Sequence, residues 1–127
     1  MHRILLRTVV FDYPGRLEEA GRGFWGVALD ASARRGRTNP EYHVLEHPAS
    51  IGSVLVQSLG TGASRVHLDI EADDTEAEVA RLVSAGATEV ERHGDWIVLS
   101  DPGGIVFCVV PAVVDEDFTA RARTVGS

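Results

Sequence analysis

Hydrophobic and polar positions follow two different periods in the second half of the chain. From Arg65 to Glu71 polar and apolar residues alternate, which is typical of a strand with one covered face. Asp73, with a glutamate three residues later, is typical of a helix start, and Gly86 of a helix end. Between them an apolar stripe recurs at helical spacing: Val79, Leu82 and Val83. The pattern predicts a strand followed by a helix.

Two hairpins with the same pattern occur half a chain apart. The β-rich runs 95–102 and 105–110 flank a pair of glycines, and Pro and Gly favour a turn there. Earlier, the runs 41–48 and 54–59 flank a second turn at residues 49–53. The Val-Leu-x-x-Pro pattern recurs in both: Val44, Leu45 and Pro48 match Val98, Leu99 and Pro102. The hairpins therefore indicate an internal repeat.

The rest of the first half completes this repeat. Residues 3–12 are strand-like, and a helix follows with one predicted face: Leu17, Gly21, Phe24 and Ala28. Further strands are predicted at 87–93 and, with a weaker pattern, near 29–34. The order β-α-β-β-β twice predicts an α+β fold in which two modules curve a mixed sheet around a cleft. Each module covers one face of its sheet with its own helix, so the other face needs a partner.

Length and composition limit the alternatives. A chain of 127 residues is expected to form one domain, 1–127, with module one at 3–60, module two at 64–111 and a C-terminal extension at 112–127. A net charge of −7 disfavours nucleic acid and membrane surfaces as partners, and the basic residues 34–37 are interpreted as a solvated loop. Without a secretory pattern, a long apolar run or a second cysteine, a cytoplasmic protein is expected.

The stretches RVHLDIEADDTEAEVARLVSAGATEVE and DWIVLSDPGGIVFCVV resemble the vicinal oxygen chelate superfamily, which includes glyoxalase I, bleomycin-resistance proteins and extradiol dioxygenases. The chain is most similar to its glyoxalase-like domain branch, over residues 3–111. The resemblance implies the fold but not the reaction, because this superfamily hosts many chemistries and also proteins with none.

The resemblance also implies four positions where metal enzymes of the superfamily place ligands. They fall near Thr8, Gln57, His67 and Cys108, the second by aligning VLVQSL with IVFCVV. Metal sites in the superfamily commonly have Glu where Cys108 stands and His where Thr8 stands. Thr and Gln are weak neutral ligands, so no metal cofactor is favoured; a divalent metal would use His67 and Gln57.

The residues themselves leave His67 with several roles. The strand alternation predicts its apolar set, Val66, Leu68 and Ile70, toward the helix and its polar set on the opposite face: Arg65, His67, Asp69 and Glu71. His67 is then a ligand-binding donor, a general base, a metal ligand or part of a hydrated polar face. Cys108 is interpreted as an apolar wall residue, and His43 and His47 as a solvated strand end.

The favoured function is small-molecule binding in the cleft. Thr8, Gln57, His67, Asp69, Trp96 and Cys108 are the expected ligand-binding residues, with Phe11 or Tyr13 as further aromatic contacts. The alternative is a metal-dependent lyase, isomerase or dioxygenase with His67 as a ligand, and a third is a structural or interaction module. Whether the protein is an enzyme stays open; a glyoxalase-type lyase or dioxygenase is the expected class if it is. The resemblance implies a homodimer.

Overall fold

A computed structural model describes residues 1–29, 31–37, 39–46 and 53–126 of the chain. Its first strand, first helix and three further strands are β1 His2–Pro14, α1 Gly15–Ala28, β2 Ser32–Arg35, β3 Tyr42–Glu46 and β4 Ser53–Gly60. The same order follows as β5 Arg65–Ala72, α2 Thr75–Ser84, β6 Thr88–His93, β7 Trp96–Ser100 and β8 Val106–Pro111. The chain continues with α3 Glu116–Arg121 and β9 Arg123–Val125.

The predicted α+β class and the repeated β-α-β-β-β order are confirmed. The weakly marked strand near residues 29–34 is β2. The C-terminal extension contains α3 and β9, which were not predicted. His47, Pro48 and the first hairpin turn lie outside the described residues, apart from Ser53. Within the described ranges, no helix is both long and apolar enough to cross a membrane.

The chain divides into two compact units whose boundaries differ from those of the modules. The α1 unit contains Thr8–His67, and the α2 unit contains Met1–Arg7 and Leu68–Ser127. The strand order is β2-β3-β4-β1 in the α1 unit and β5-β8-β7-β6 in the α2 unit. The start of β1 pairs with β9 in the α2 unit, and its later part pairs in parallel with β4 in the α1 unit.

The core of the α1 unit contains an aromatic group between α1 and the sheet. Phe11 stacks on Trp25 with 4.4 Å between ring centroids, and Trp25 Nε1 donates to the Tyr13 hydroxyl at 2.9 Å. Gly21 allows this approach, because a Cβ there would lie 2.3 Å from Cζ of Tyr13. The predicted helix face was wrong at three of its four positions, since Phe24 is 63% exposed and Leu17 and Ala28 are exposed as well.

The α2 unit has its own apolar core, built from strand residues and α2: Ala72, Val79, Ile97, Leu99 and Val109. Helix α2 begins one residue later than predicted. Asp74 is its N-cap and accepts from Ala77 N at 3.0 Å, whereas Asp73 accepts from the backbone N–H of Arg3 at 2.8 Å. The predicted end is confirmed, since Gly86 follows the cap with φ +118°.

A polar cluster and a buried phenyl ring of the C-terminal extension complete the α2 unit. Glu78 is fully buried, and it is bonded to His2 Nε2 at 2.9 Å and to Arg81 Nε at 2.6 Å. Burial raises the pKa of Glu78, but the hydrogen bonds from Arg81 and His2 outweigh it and leave that pKa below its ordinary value. In the C-terminal extension, Phe118 is 1% exposed, and the Arg3 guanidinium lies 5.4 Å from its ring centroid. The extension is therefore part of this unit's core.

Candidate functional site

A buried imidazole and a buried carboxylate meet in the α1 unit. Nδ1 of His67, on β5, lies 2.5 Å from Oδ2 of Asp12, on β1. The two residues are 7% and 0% exposed. Burying a carboxylate is costly unless it is bonded and charge-compensated, so this pair is a specific arrangement rather than a chance contact. His67 is thus not part of a hydrated strand face.

Arg65 is the third member of this group. Its Nε donates to the same Asp12 Oδ2 at 3.1 Å, and its side chain is 52% exposed. The other carboxylate oxygen, Asp12 Oδ1, is buried without a hydrogen-bond partner among the described residues. The group therefore combines a solvent-facing cation with a buried acid and a buried imidazole. Neither Asp12 nor Arg65 was among the ligand-binding residues predicted from the sequence.

The face of β1 that carries Asp12 is the one opposite helix α1. Phe11 and Tyr13 pack toward Trp25. Successive side chains of a strand point to opposite faces, so Thr8 and Asp12 point to the other side. Thr8 is 8% exposed on that face. The expectation that Phe11 or Tyr13 contacts a ligand is not supported, because both rings belong to the core.

Gln57 lies beside Asp12 in the sheet, but it is not the repeat equivalent of Cys108. Asp12 pairs with Gln57 in the parallel β1–β4 register. Val44 pairs with Leu55 in the first hairpin and Val98 with Cys108 in the second. Because Val44 and Val98 match in the repeat, Leu55 is the equivalent of Cys108. The alignment that selected Gln57 as a metal-ligand position was therefore shifted by two residues.

The parallel strand pairs agree with this equivalence. Val10 pairs with Leu55, and Asp69 pairs with Cys108, so Val10 and Asp69 are equivalent. Two residues earlier along each strand, Thr8 is equivalent to His67, as the resemblance implied. Two residues later, Asp12 is equivalent to Glu71. The repeat thus places a buried carboxylate at the same position of both first strands.

The burial of β5 differs from the expectation. Val66 and Leu68 of its apolar set are 53% and 38% exposed, whereas His67 and Glu71 of its polar set are 7% and 6% exposed. Both buried polar side chains have ion-pairing partners on β1. Specific pairing therefore overrides the simple rule that the apolar face of a strand is the covered one. His43 is also not solvated: its Nδ1 lies 3.1 Å from Glu18 Oε1, and its side chain is 15% exposed.

Three predicted ligand-binding residues lie in the α2 unit. Asp69 is half-buried and faces Cys108, which is 3% exposed, across β5 and β8. Trp96 is 38% exposed and stacks on His93 with 4.8 Å between ring centroids. Their contact with a ligand stays a prediction.

The residues present do not fit a full set of superfamily metal ligands. The second position is Leu55, which has no donor atom, and Thr8 offers only a neutral hydroxyl. His67 is a strong nitrogen donor, while the Cys108 thiol suits softer metals than the carboxylate common at its position. Asp69 adds a carboxylate opposite that thiol. A metal that uses His67 would therefore need a ligand set different from the one the resemblance implies.

A cavity of about 530 Å³ lies elsewhere in the α1 unit. Its walls are the α1 residues Arg22, Gly23, Gly26 and Val27 and the segment 31–33. None of the predicted site residues lines it. The volume is within the range of small-molecule sites, but its walls offer one charged side chain, which Glu18 already engages at 2.9 Å. We therefore assign the candidate site to the Asp12–His67 group.

Two solved structures superpose on most of this chain. Methylmalonyl-CoA epimerase from Mycobacterium tuberculosis superposes with a TM-score of 0.58 at 18% identity, over 84% of this chain and 87% of that one. A glyoxalase/bleomycin resistance protein/dioxygenase superfamily member from Vibrio splendidus 12B01 gives a TM-score of 0.54 at 14% identity, over 86% and 97%. At these identities the likeness establishes the fold.

The family is established by sequence. The model of the glyoxalase-like domain matches residues 8–110, which is most of the chain. The chain therefore belongs to the glyoxalase-like domain family, as the strand and turn motifs of its second half predicted. No curated protein sequence matches it. Divalent metals are common in the wider superfamily, but family membership alone does not select a reaction.

Proposed function

We propose that this protein binds a small, partly apolar molecule through the polar face of the α1 unit, without a tightly held metal. His67 is the central polar contact, with Thr8 and Gln57 as further hydrogen-bonding groups. The observation that carries the proposal is the His67 imidazole, buried and bonded at Nδ1 to the fully buried Asp12. Such an arrangement fixes the orientation of a binding group before the ligand arrives.

Asp12 also gives the imidazole a defined chemistry. A carboxylate at Nδ1 favours the tautomer whose proton lies on Nδ1, and Nε2 then carries the lone pair. The alternative tautomer would place two acceptors against each other at 2.5 Å.

A thermal-shift screen of small aromatic alcohols, amides and acids tests this proposal. A compound that binds only the native state raises stability by RT ln(1 + [L]/Kd), so a bound compound raises the melting temperature in proportion to the logarithm of its concentration. We expect hits whose effect His67→Ala removes and His93→Ala retains, because the His93 side chain is 44% exposed. A screen without hits, or hits indifferent to His67→Ala, would overturn the proposal in favour of an interaction module.

A metal-dependent lyase, isomerase or dioxygenase is the second candidate. The observation in its favour is the same Nδ1 hydrogen bond, because metal-binding histidines are commonly held by a carboxylate at the other nitrogen. Elemental analysis of protein purified without chelator distinguishes the two functions. Stoichiometric zinc, nickel, iron or manganese that His67→Ala removes would establish a metal site and contradict the binding-only function.

We further propose that two chains associate as a homodimer. The support is the exposed apolar surface on the first strands of the α2 unit, where Leu6 and Leu68 are 54% and 38% exposed. Sedimentation equilibrium measures the mass directly. A monomer at tens of micromolar protein would exclude this proposal.

A further inference from the structure

Two arginines of this chain are bonded to equivalent buried acids. Arg7, on β1, donates from Nε to Glu71 Oε2 on β5 at 3.2 Å. Arg65, on β5, donates from Nε to Asp12 Oδ2 on β1 at 3.1 Å. Glu71 and Asp12 occupy the same position in the repeat. Each unit therefore contains the same combination of an arginine and a buried carboxylate, and the two can be compared group by group.

Both terminal nitrogens of Arg7, Nη1 and Nη2, also donate within the chain. Nη2 donates to Asp115 Oδ1 at 2.9 Å and to the Val113 carbonyl at 3.1 Å, and Nη1 donates to Asp117 Oδ2 at 3.0 Å. Glu71 is also satisfied at its second oxygen, where Oε1 accepts from Val113 N at 3.0 Å. Burial lowers the pKa of Arg7, but the hydrogen bonds to Asp115 and Glu71 outweigh it and raise that pKa. Two carboxylates of the C-terminal extension thus complete the site.

Among the described residues, no segment bonds to the terminal nitrogens of Arg65 in the way that the C-terminal extension bonds to those of Arg7. Its hydrogen bonds there start only from Nε, and its side chain is 52% exposed, against 10% for Arg7. The Nη1 and Nη2 edge of the guanidinium therefore offers donors that the described part of the chain does not engage. Asp12 Oδ1 is left without a donor in the same ranges, whereas both oxygens of Glu71 are bonded.

We propose that the ligand of the α1 unit carries a carboxylate, which Arg65 binds through Nη1 and Nη2. This inference rests on the proposed function and names the class of its ligand. The ligand carboxylate takes the place that the Asp115 and Asp117 carboxylates take at Arg7. A planar guanidinium held at Nε is preorganised for a two-point hydrogen bond to a planar anion. The apolar part of the ligand then extends from Arg65 toward His67, which shares the same acid.

A carboxylate fits this position better than a neutral group. Charge-assisted hydrogen bonds are about twice as strong as neutral ones, and arginine pairs with carboxylates in a bidentate manner. The overall charge of −7 gives no general attraction for anions, so any selectivity for a carboxylate must come from a local cation. Arg65 is the cation that shares the acid of the His67 group.

Benzoate and benzamide are a matched pair of probes for this inference. They share a phenyl ring and a planar head group, and only benzoate is charged. Titrations followed by NMR report on the Arg65 Nε–Hε resonance and on the His67 ring. We expect benzoate to shift both and to bind at least about tenfold more tightly than benzamide, as a charge-assisted two-point bond requires.

Three variants show whether Arg65 causes the preference. Arg65→Gln should abolish the tighter binding of benzoate. Arg65→Lys should retain only part of it, because lysine keeps the charge but lacks the planar guanidinium that bonds at two points. Arg34→Gln is the matched control, since Arg34 lies on β2 with Nε bonded to Glu46 and a 44% exposed side chain. Arg34→Gln should leave the preference unchanged. If Arg65→Gln does not fold, Arg65→Lys decides, because it preserves a cation beside Asp12.

Each remaining outcome separates the inference from the proposed function. If benzamide binds as tightly as benzoate and His67→Ala weakens both, the binding function stands and the carboxylate inference is wrong. A benzoate preference that persists in Arg65→Gln or is undiminished in Arg65→Lys also overturns it. If benzoate does not bind while other screened compounds do so through His67, the inference fails alone. If nothing in the screen or the probe pair binds, both fail.

Discussion

Asp12 and His67 are 55 residues apart in the chain, and their Oδ2 and Nδ1 atoms lie 2.5 Å apart in a fully buried environment. The pair joins β1 to β5 and fixes one imidazole orientation. Arg65 compensates the charge of the acid from its exposed position. We therefore expect that disturbing this group changes both the stability of the protein and the state of the imidazole.

Asp12→Asn should lower stability and release the tautomer of His67. The amide keeps the shape of the side chain but loses the charge that pairs with Arg65, and its N–H group can face the imidazole. We expect a loss of about 1–3 kcal/mol in the free energy of unfolding, measured by urea denaturation. Ring ¹⁵N shifts of His67 should change toward a mixture of tautomers.

The matched control is Asp95→Asn, an exposed aspartate at the β6–β7 turn. It should change stability by less than about 0.5 kcal/mol. Equal losses of stability in the two variants, or an unchanged His67 spectrum in Asp12→Asn, would show that the carboxylate does not fix the tautomer of the imidazole.

Gly21→Ala and Gly23→Ala should have opposite effects on the same helix. A methyl at Gly21 would lie 2.3 Å from the Tyr13 ring, whereas nothing lies within 4 Å of a methyl at Gly23. We expect Gly21→Ala to destabilise by about 1–3 kcal/mol through overpacking. Gly23→Ala should stabilise by up to about 1 kcal/mol, because alanine is the better helix former. Thermal unfolding followed at Trp25 fluorescence measures both; a neutral Gly21→Ala would contradict the close packing.

Glu78 should contribute a pH-dependent part of stability. Its folded-state pKa is depressed, so the contribution is complete above the pKa of an unfolded glutamate, about 4.3, and is lost as pH falls through the lower folded value. Glu78→Gln should therefore cost about 2 kcal/mol near neutral pH and progressively less in acid. Urea denaturation at a series of pH values measures the difference.

Glu19→Gln provides the control for this pH series. Glu19 is exposed on α1, so its substitution should leave the stability profile parallel to that of the wild type. A Glu78→Gln deficit that stays constant down to low pH would exclude the proposed ionisation.

Phe118→Ala tests the place of the C-terminal extension in the core. The ring is 1% exposed, so its removal should cost about 3–5 kcal/mol in the free energy of unfolding. Phe24→Ala removes a ring that is 63% exposed and should cost less than about 1 kcal/mol. Calorimetry of the two variants gives the comparison. Similar melting temperatures would mean that the extension does not contribute to the core.

Local patterns predicted the elements, but not the pairs that define the site. The alternation of β5 and the cap and glycine around α2 are encoded by neighbouring residues, so they are visible in one sequence. Asp12 and Arg65 meet only because two strands adopt one register, and 53 residues separate them. The sequence indicates Asp12 in one way: it is an acid within the apolar run VVFDYP, and it lies on the same face of the strand as Thr8.

The α1 face and the hairpin alignment were also predicted wrongly because they depend on residues far apart in the sequence. The four glycines of α1 gave no indication of which face would pack. Trp25 rather than Phe24 packs inward, and it bonds to Tyr13, whose ring lies against Gly21. The two hairpins were matched correctly at Val44 and Val98, yet the returning strands were shifted by two residues. The paired positions are 44 and 55 in the first hairpin and 98 and 108 in the second, so the two hairpins do not align without a gap.

The two compact units do not coincide with the two sequence repeats, because β1 is divided between the units at Arg7/Thr8 and β5 at His67/Leu68. A proteolytic cut between Gly60 and Ser64 would release two halves, and neither would contain all residues of either unit. The N-terminal half would lack Arg65 and His67, and the C-terminal half would lack Met1–Arg7 with its acid-binding guanidinium. We therefore expect each half to regain the native contacts of its unit only when the two halves recombine.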